Sequence, residues 1–305
     1  MTKPNTPLAI AVDGGGTRCR LLLCTDGSDT TVEVGSCNVS TDFLRGLTEI
    51  ERGLKLLSQK SGFSSEILAT LPCFMGLAGV VSAQIANQLA RALPLQHCRI
   101  QDDRNAALRG ALAEGDGAIA HCGTGSFLAS QIQGQARIVG GWGSILGDEA
   151  SAQWLARRAL SKTLDVADEL SPPSPLSDHL HELLKGPAGI VEFSAGATPA
   201  EMGEMAPLIT TLAGEGDAIA QDLMREGAGY LAWILPKIGW KQGLALCLTG
   251  GLAPCYAPYF PQIMQDAIAA PLGDPLSGAR RLALDYAREL AATGPGVPEQ
   301  GEASA

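Results

Sequence analysis

The sequence predicts a duplicated α/β protein, and three observations carry that prediction. An apolar run at 8–12 ends in Asp13-Gly14-Gly15-Gly16-Thr17 and resumes as a strand at 18–24, giving strand, glycine turn, strand. The same order returns as 118–121, then Cys122-Gly123-Thr124-Gly125-Ser126, then 127–132. A third apolar run at 244–248 stops in Thr249-Gly250-Gly251. The pattern restarts at Gly117, so two units of one design are expected, with a cleft between them and a boundary near Glu114. The expected division is 1–114 for the first unit, 115–292 for the second with a helical insertion, and 293–305 as a disordered tail.

Within the first unit, residues 31–37 offer a third strand. Phe43, Leu44, Leu47, Ile50, Leu54 and Leu57 then recur at helical spacing behind Asp42 or Thr41 as the cap. A buried strand is expected at 70–77, a helix at 85–93, a short strand at 98–101 and a helix at 106–113. The turn at Asp13 leads into a strand, which separates it from the strand-to-helix turn of dinucleotide-binding folds. In the second unit, four glycines within 140–149 make a flexible loop. It precedes a helix whose apolar face carries Ala152, Leu155, Ala156 and Leu160. Pro, Ser, Gly and acids dominate 171–216, read as helices with loops, and further helices are expected at 258–270 and 278–291. The tail is Gly, Pro, Glu and Ser, which cannot bury enough surface to fold.

With 305 residues, 46% of them hydrophobic, the chain holds ample core for two domains. Its charge of −10, from 32 acids against 22 bases with no basic run, repels nucleic acid and anionic membranes, so neither is expected as a partner. No 18 apolar residues run together, and the first seven lack the charged-then-apolar pattern of a secretory leader, so a cytoplasmic location is expected. The eight cysteines contain no C-x-x-C pair and no zinc-finger spacing, which reads as free thiols in a reducing compartment. His121 lies in an apolar strand and reads as a satisfied core residue, while His179 and His181 lack a nearby third ligand.

Glycine turns matter because a phosphate tail needs backbone N–H groups aimed at it with no side chain in the way. Thr17, Thr124 and Ser126 add hydroxyl donors. One such turn is an ordinary hairpin, but two equivalent turns and a third at Gly250-Gly251 predict a phosphate cleft. Asp13 ends its strand directly before the first turn, where a carboxylate can hold Mg²⁺ through water beside the phosphates. Asp102 and Asp103 end a strand and precede a helix. Asp102 suits the cap, and whichever acid faces the cleft can accept a proton from an attacking hydroxyl. The loop with Trp142 and Asp148 suits a polyhydroxylated ligand, although a Trp can also simply pack and an Asp cap a helix.

Together, DGGGT at 13–17, QDDRNAALRGAL at 101–112, CGTGS at 122–126, GGWGSILGDEAS at 140–151 and TGGLA at 249–253 resemble the N-acetylglucosamine kinase group of the BadF/BadG/BcrA/BcrD ATPase family. That family belongs to the actin, hexokinase and Hsp70 superfamily. The resemblance implies two ribonuclease-H-like, actin-like ATPase domains and transfer of the ATP γ-phosphate to a sugar 6-hydroxyl, with ATP and Mg²⁺ as cofactors. It places Asp103 on the catalytic base. Asp13, Gly14, Gly15, Gly16, Thr17, Gly123 and Thr124 fall on the phosphate side, and Gly250 and Gly251 on the adenosine side. Asn38, Asp103, Thr124, Gly125 and Asp148 fall on sugar-contacting positions, and Trp142 on the loop tryptophan.

Two departures stand out. The base motif commonly reads Asn-Asp-Ala, whereas here Asp102-Asp103-Arg104 adds a charge. Relatives often carry Ser-Gly-Gly where this chain has Ala78-Gly79-Val80, which removes a contact to an N-acyl group and keeps glucosamine as the alternative to N-acetylglucosamine. A homodimer is kept as a partner state. The family also holds iron–sulfur ATPase activators of benzoyl-CoA-type reductases, which need two cysteines per chain. Here none lies between Cys122 and Cys247. Sugar-sensing repressors need a DNA-reading module, and only seven residues precede the first strand.

Overall fold

The computed structural model describes residues 6–16, 18–40, 42–80 and 82–293, which form two compact units. Thr17 and the tail from 294 on, both singled out above, lie outside the described residues. The first unit comprises the described residues up to Glu114 together with those from Leu272 on, and the second runs from Gly115 to Pro271.

In the first unit, β1 (Pro7–Gly14), β2 (Cys19–Thr25) and β3 (Thr30–Val34) form an antiparallel meander. Helix α1 (Phe43–Ser61) follows, capped by Asp42 accepting from the Arg45 N–H, and then the short α2 (Ser65–Thr70). Next come β4 (Pro72–Leu77), α3 (Ala83–Ala92), β5 (His97–Asp102) and α4 (Asp103–Leu112). The sheet order is β3-β2-β1-β4-β5, with β4 and β5 parallel to β1. Both faces are covered, which explains the unbroken apolar runs. Ile10, Val12, Leu21, Leu23 and Met75 pack on one side against Ile50, Leu54, Leu57 and Leu89. Ala9, Ala11, Leu22 and Phe74 pack on the other against Ala106 and against Leu276, Ala279 and Ala283 of α12 (Pro275–Thr293).

That last contact corrects the expected division. The C-terminal helix belongs to the first unit, whereas 115–292 was expected to form one domain. Small residues are the physical reason: Gly278 lies so close to Ala106 and Gly110 of α4 that a Cβ there would strike their backbones. Such a close approach decides which surface the helix covers.

The second unit repeats the sheet. β6 (Gly117–Cys122), β7 (Ser126–Ile132) and β8 (Gln135–Gly140) form the meander, and β9 (Ala245–Thr249) lies parallel to β6, in the order β8-β7-β6-β9. Where the first unit has its fifth strand, the second has one parallel bridge, Leu246 with Ile268. Five helices, α5 (Ala152–Ala167), α6 (Pro175–Leu183), α7 (Pro187–Gly196), α8 (Pro199–Gly203) and α9 (Ala206–Gly214), occupy the region after the glycine loop, and α10 (Ala218–Ile234) leads back to β9. Trp154, Leu155, Leu160, Leu176, Ile209, Leu223 and Leu231 build their common core. The helix expected at 258–270 is instead a 3-10 segment, Ala253–Tyr259, followed by the short α11 (Gln262–Gln265), because Pro254, Pro258 and Pro261 remove backbone donors. Both sheets thus have the ribonuclease-H-like arrangement that the resemblance implied.

Candidate active site

In the first turn each glycine has a different surrounding. Gly14 is packed so tightly against Leu77 and Cys37 that a Cβ would overlap Leu77. Gly15 closes the turn through its N–H to the Arg18 carbonyl, 2.9 Å, and accepts from the Cys37 N–H, 3.3 Å. Around Gly16 a Cβ would meet nothing within 4 Å, so this glycine leaves open space at the turn. Asp13 stands opposite Arg20 in the β1–β2 register, and its Oδ2 accepts from Arg20 Nη2 at 2.6 Å and Nε at 3.2 Å.

At the start of α4 the two acids separate. Asp102 is the N-cap: its Oδ1 accepts from the Arg104 N–H at 2.9 Å and from Arg104 Nε at 2.6 Å, and Oδ2 from Nη2 at 3.0 Å. This cap starts the helix at Asp103, three residues before the apolar pattern does. The half-buried Asp103 carboxyl is pushed from 3.8 up to about 7. Burial is the largest cause, followed by the charges of Asp102 and Asp13, with Arg104 pulling the other way. A carboxyl raised to about 7 by burial and by two neighbouring acids is the kind of group that exchanges a proton with substrate near neutral pH.

Asn38 turns inward. Its Oδ1 accepts from the Ser40 N–H at 3.1 Å and the Ser40 hydroxyl at 2.9 Å, and a Cβ on Gly79, at φ +84°, would collide with that oxygen.

In the second unit the structure brings the other two turns together. Gly250 has φ +80° and lies on the backbone of Cys122, whose carbonyl accepts from the Leu252 N–H at 2.9 Å, so a Cβ at Gly250 would overlap that carbonyl. Gly251 faces open space and Thr124 is exposed. The Gly123 N–H closes the CGTGS turn on the Gly125 carbonyl at 2.9 Å, and the Gly123 carbonyl accepts from Ala152 at the start of α5 at 2.8 Å. His121 is the satisfied core residue expected: Nδ1 is 3.1 Å from the Thr249 hydroxyl, and the ring stacks on Phe127 at 5.0 Å. Burial pushes its basicity down, favouring the neutral imidazole.

The glycine loop is held in unusual backbone. Gly140, Gly141 and Gly143 have φ of +80°, +73° and +85°, and Asp148 and Ala150 adopt +61° and +63°. A left-handed, non-glycine Asp costs conformational energy, and strain of this kind gathers at functional sites. Asp148 is 8% exposed, and its carboxylate lies against Gly125, 3.0 Å from where a Cβ would be. Burial is the largest cause of its raised proton affinity, with Glu149 adding, while the Ser126 and Gly143 N–H groups oppose it. The helix cap beyond the loop is Ser151, so Asp148 is not needed for that task. Trp142, 74% exposed, takes no part in the core.

Four participants were not singled out as functional from sequence: Arg20, Asp274, Arg104 as the partner of Asp102, and Tyr230. The Tyr230 hydroxyl engages Glu149 and is pushed up to about 12, chiefly by burial. Residue type alone gave no signal for them, because each acquires its role from a partner placed by the fold.

Asp13 suits a magnesium ion held at one remove. Mg²⁺ keeps most of its waters and takes one or two protein carboxylates, and Asp13 offers one oxygen while Arg20 engages the other. Among the described residues no cluster of three His, Cys, Asp or Glu forms an all-protein cage.

Comparison with known proteins places these features in a lineage. The chain is 25% identical to the glucosamine kinase GspK of Vibrio cholerae over 277 residues, covering 88% of this chain and 93% of that one. It is 25% identical to the N-acetylmuramic acid/N-acetylglucosamine kinase of Clostridium acetobutylicum over 238 residues, covering 73% and 76%. A crystal structure of a candidate N-acetylglucosamine kinase from Chromobacterium violaceum is 29% identical, covers 92% of this chain and 99% of that one, and superposes with a TM-score of 0.78. Residues 10–273, which include the three glycine turns and Asp13, Asp102, Asp103 and Asp148, match the family model itself, so the chain is a member of the BadF/BadG/BcrA/BcrD ATPase family.

Proposed function

We propose that the protein is an ATP-dependent kinase that transfers the γ-phosphate of ATP to the 6-hydroxyl of an amino sugar. N-acetylglucosamine is the first candidate and glucosamine the second. The observation that carries this reading is Asp103, a half-buried carboxyl raised to about 7 at the start of α4, next to an Asp102 already engaged by Arg104. Phosphoryl transfer asks little more of a protein than such a base, a metal and positioned donors.

In the proposed reaction, the Asp103 carboxylate accepts the proton of the sugar hydroxyl as its oxygen attacks the γ-phosphorus. The bond from that phosphorus to the bridging oxygen breaks, and ADP leaves with the electron pair. Gly16 and the CGTGS turn, with the Thr124 hydroxyl, present donors to phosphate oxygens, and Gly250 and Gly251 serve the adenosine side. Asp13 would hold Mg²⁺, and that ion would supply neutralisation of phosphate charge when bound. Asn38, Gly125, Trp142 and Asp148 are assigned to contacts with the sugar, as the family resemblance implies. The iron–sulfur activator reading gains nothing from Cys122, which is buried beneath Gly250 and whose thiol burial pushes well up.

Glucosamine stays as the second reading because Ala78-Gly79-Val80 lacks a side-chain hydroxyl for an N-acyl oxygen. The deciding experiment measures kcat/KM by coupled ADP release with glucosamine, N-acetylglucosamine, N-acetylmannosamine, glucose and no sugar. An amino sugar should lead the series. Preference for glucose over both glucosamines would refute the substrate class.

A further inference from the structure

Arg20 stands on β2 directly across from Asp13, and the alternation of the strands puts both on the sheet face that α12 covers, with Ala9, Ala11, Leu22 and Cys24. Its guanidinium is forked between two acids. Nε and Nη2 engage Asp13 Oδ2, and Nη1 donates to Asp274 Oδ2 at 2.6 Å. The other oxygen of Asp274 caps the start of α12, accepting from the Ser277 N–H at 2.9 Å and the Ser277 hydroxyl at 2.6 Å. All three guanidinium nitrogens of Arg20 and both carboxylate oxygens of Asp274 are therefore committed, and the chain runs from the helix start through Arg20 to Oδ2 of Asp13 at the end of β1. The Arg20 side chain is only 18% exposed, so these bonds are partly shielded from water and hold one geometry better than a surface pair does. Among the described residues, no hydrogen bond reaches Asp13 Oδ1.

We propose that Arg20 and Asp274 are positioning residues for divalent-metal binding: Arg20, braced by the cap of α12, occupies Oδ2 of Asp13 and leaves Oδ1 aimed at a metal-bound water. The inference rests on the kinase reading for its use of MgATP. It adds that the start of the C-terminal helix, 254 residues away in sequence from Arg20, sets the metal-side geometry.

The test uses the full chain and reads metal directly. Mn²⁺ is titrated by electron paramagnetic resonance with a non-hydrolysable ATP analogue present, on wild type and on Arg20→Met, Arg20→Lys and Asp274→Asn, with melting temperatures in parallel. Loss of a group that orients a metal-associated carboxylate typically costs roughly 10- to 100-fold in metal affinity, and that is expected for Arg20→Met. Asp274→Asn should fall between wild type and Arg20→Met, and Arg20→Lys should recover part of the loss because it restores the charge without the fork. Metal-free analogue binding should stay near wild type in all three. If Arg20→Met and Asp274→Asn bind Mn²⁺ as wild type does, even with lower melting temperatures, the pair is a structural staple and the proposal is overturned. Should Arg20→Met not fold, unchanged Mn²⁺ binding by folded Asp274→Asn overturns it equally. Failure of the kinase reading looks different: wild type itself would then show no sugar-dependent ADP release.

Discussion

At Asp102 the carboxylate is occupied by the Arg104 N–H and guanidinium, while at Asp103 burial and two neighbouring negative charges raise the proton affinity to about 7. Asp103→Asn keeps the shape but accepts no proton, and loss of a general base typically costs ~10²–10⁴-fold in rate. We expect kcat to fall by that order while sugar affinity, measured by calorimetry, changes much less, and Asp102→Asn to keep most of its activity. The reverse order of the two mutants would move the base to Asp102. Because the base must be ionised, kcat should also fall as pH drops through about 7. Stability follows the same group. The folded value of about 7 lies above the ordinary 3.8, so the native state holds this proton more tightly than the unfolded chain does. Asp103 therefore weighs against folding above pH 7, and that penalty fades as pH falls from 7 towards 3.8. Asp103→Asn should melt higher than wild type at about pH 8, with the gain shrinking towards about pH 5. Lower melting at alkaline pH would contradict the buried, raised carboxyl. From sequence, two adjacent acids at a strand end suggested one cap and one base. Asp102 already suited the cap and the family resemblance put the base on Asp103; what residue order did not show is Arg104 holding Asp102, because that contact depends on rotamers.

Among the elements, glycines were easy to see and hard to apportion. DGGGT, CGTGS and TGG stand out in one dimension, but only packing shows that Gly14 yields to Leu77 and Gly250 to the Cys122 carbonyl, while Gly16 faces open space. The positions should therefore separate stability from binding. Gly250→Ala combines a left-handed backbone, worth roughly 1–2 kcal/mol, with a main-chain collision, and should lower the melting temperature clearly. Gly16→Ala, by contrast, should stay within about 0.5 kcal/mol of wild type in stability. If the first turn receives phosphates, it should nevertheless weaken calorimetric binding of a non-hydrolysable ATP analogue. A destabilised Gly16→Ala with normal nucleotide affinity would reverse that assignment. Other elements escaped sequence reading for plain reasons. β8 is an edge strand beginning Gln135-Ala136-Arg137, with exposed residues and no apolar run. α10 carries Gly227 and Gly229 inside its helical pattern, and Gly227 is needed because Tyr256 fills the space a side chain would take. The prolines of 254–261 replaced an expected helix with 3-10 turns.

Across the whole molecule, the duplication was visible because each unit repeats strand, glycine turn and strand, and the break after Glu114 followed from the restart of that pattern. The return of α12 to the first unit was not visible, since amphipathic spacing says that a helix is covered but not by what. Gly278→Val tests that return. Its side chain would strike the backbone of Ala106 and Gly110, so a loss above about 4 kcal/mol is expected. Hydrogen exchange should quicken in peptides of the first unit and stay unchanged in those of the second. Faster exchange confined to 115–271 would return the helix to the second unit. Transfer from ATP to an amino sugar is read out by phosphorus NMR of the protein with ATP, Mg²⁺ and either glucosamine or N-acetylglucosamine. One new phosphomonoester resonance is expected, split by the two protons of the sugar's C6 methylene, growing in step with ADP and absent without sugar. ADP appearing with inorganic phosphate alone, at equal rates with and without sugar, would contradict it.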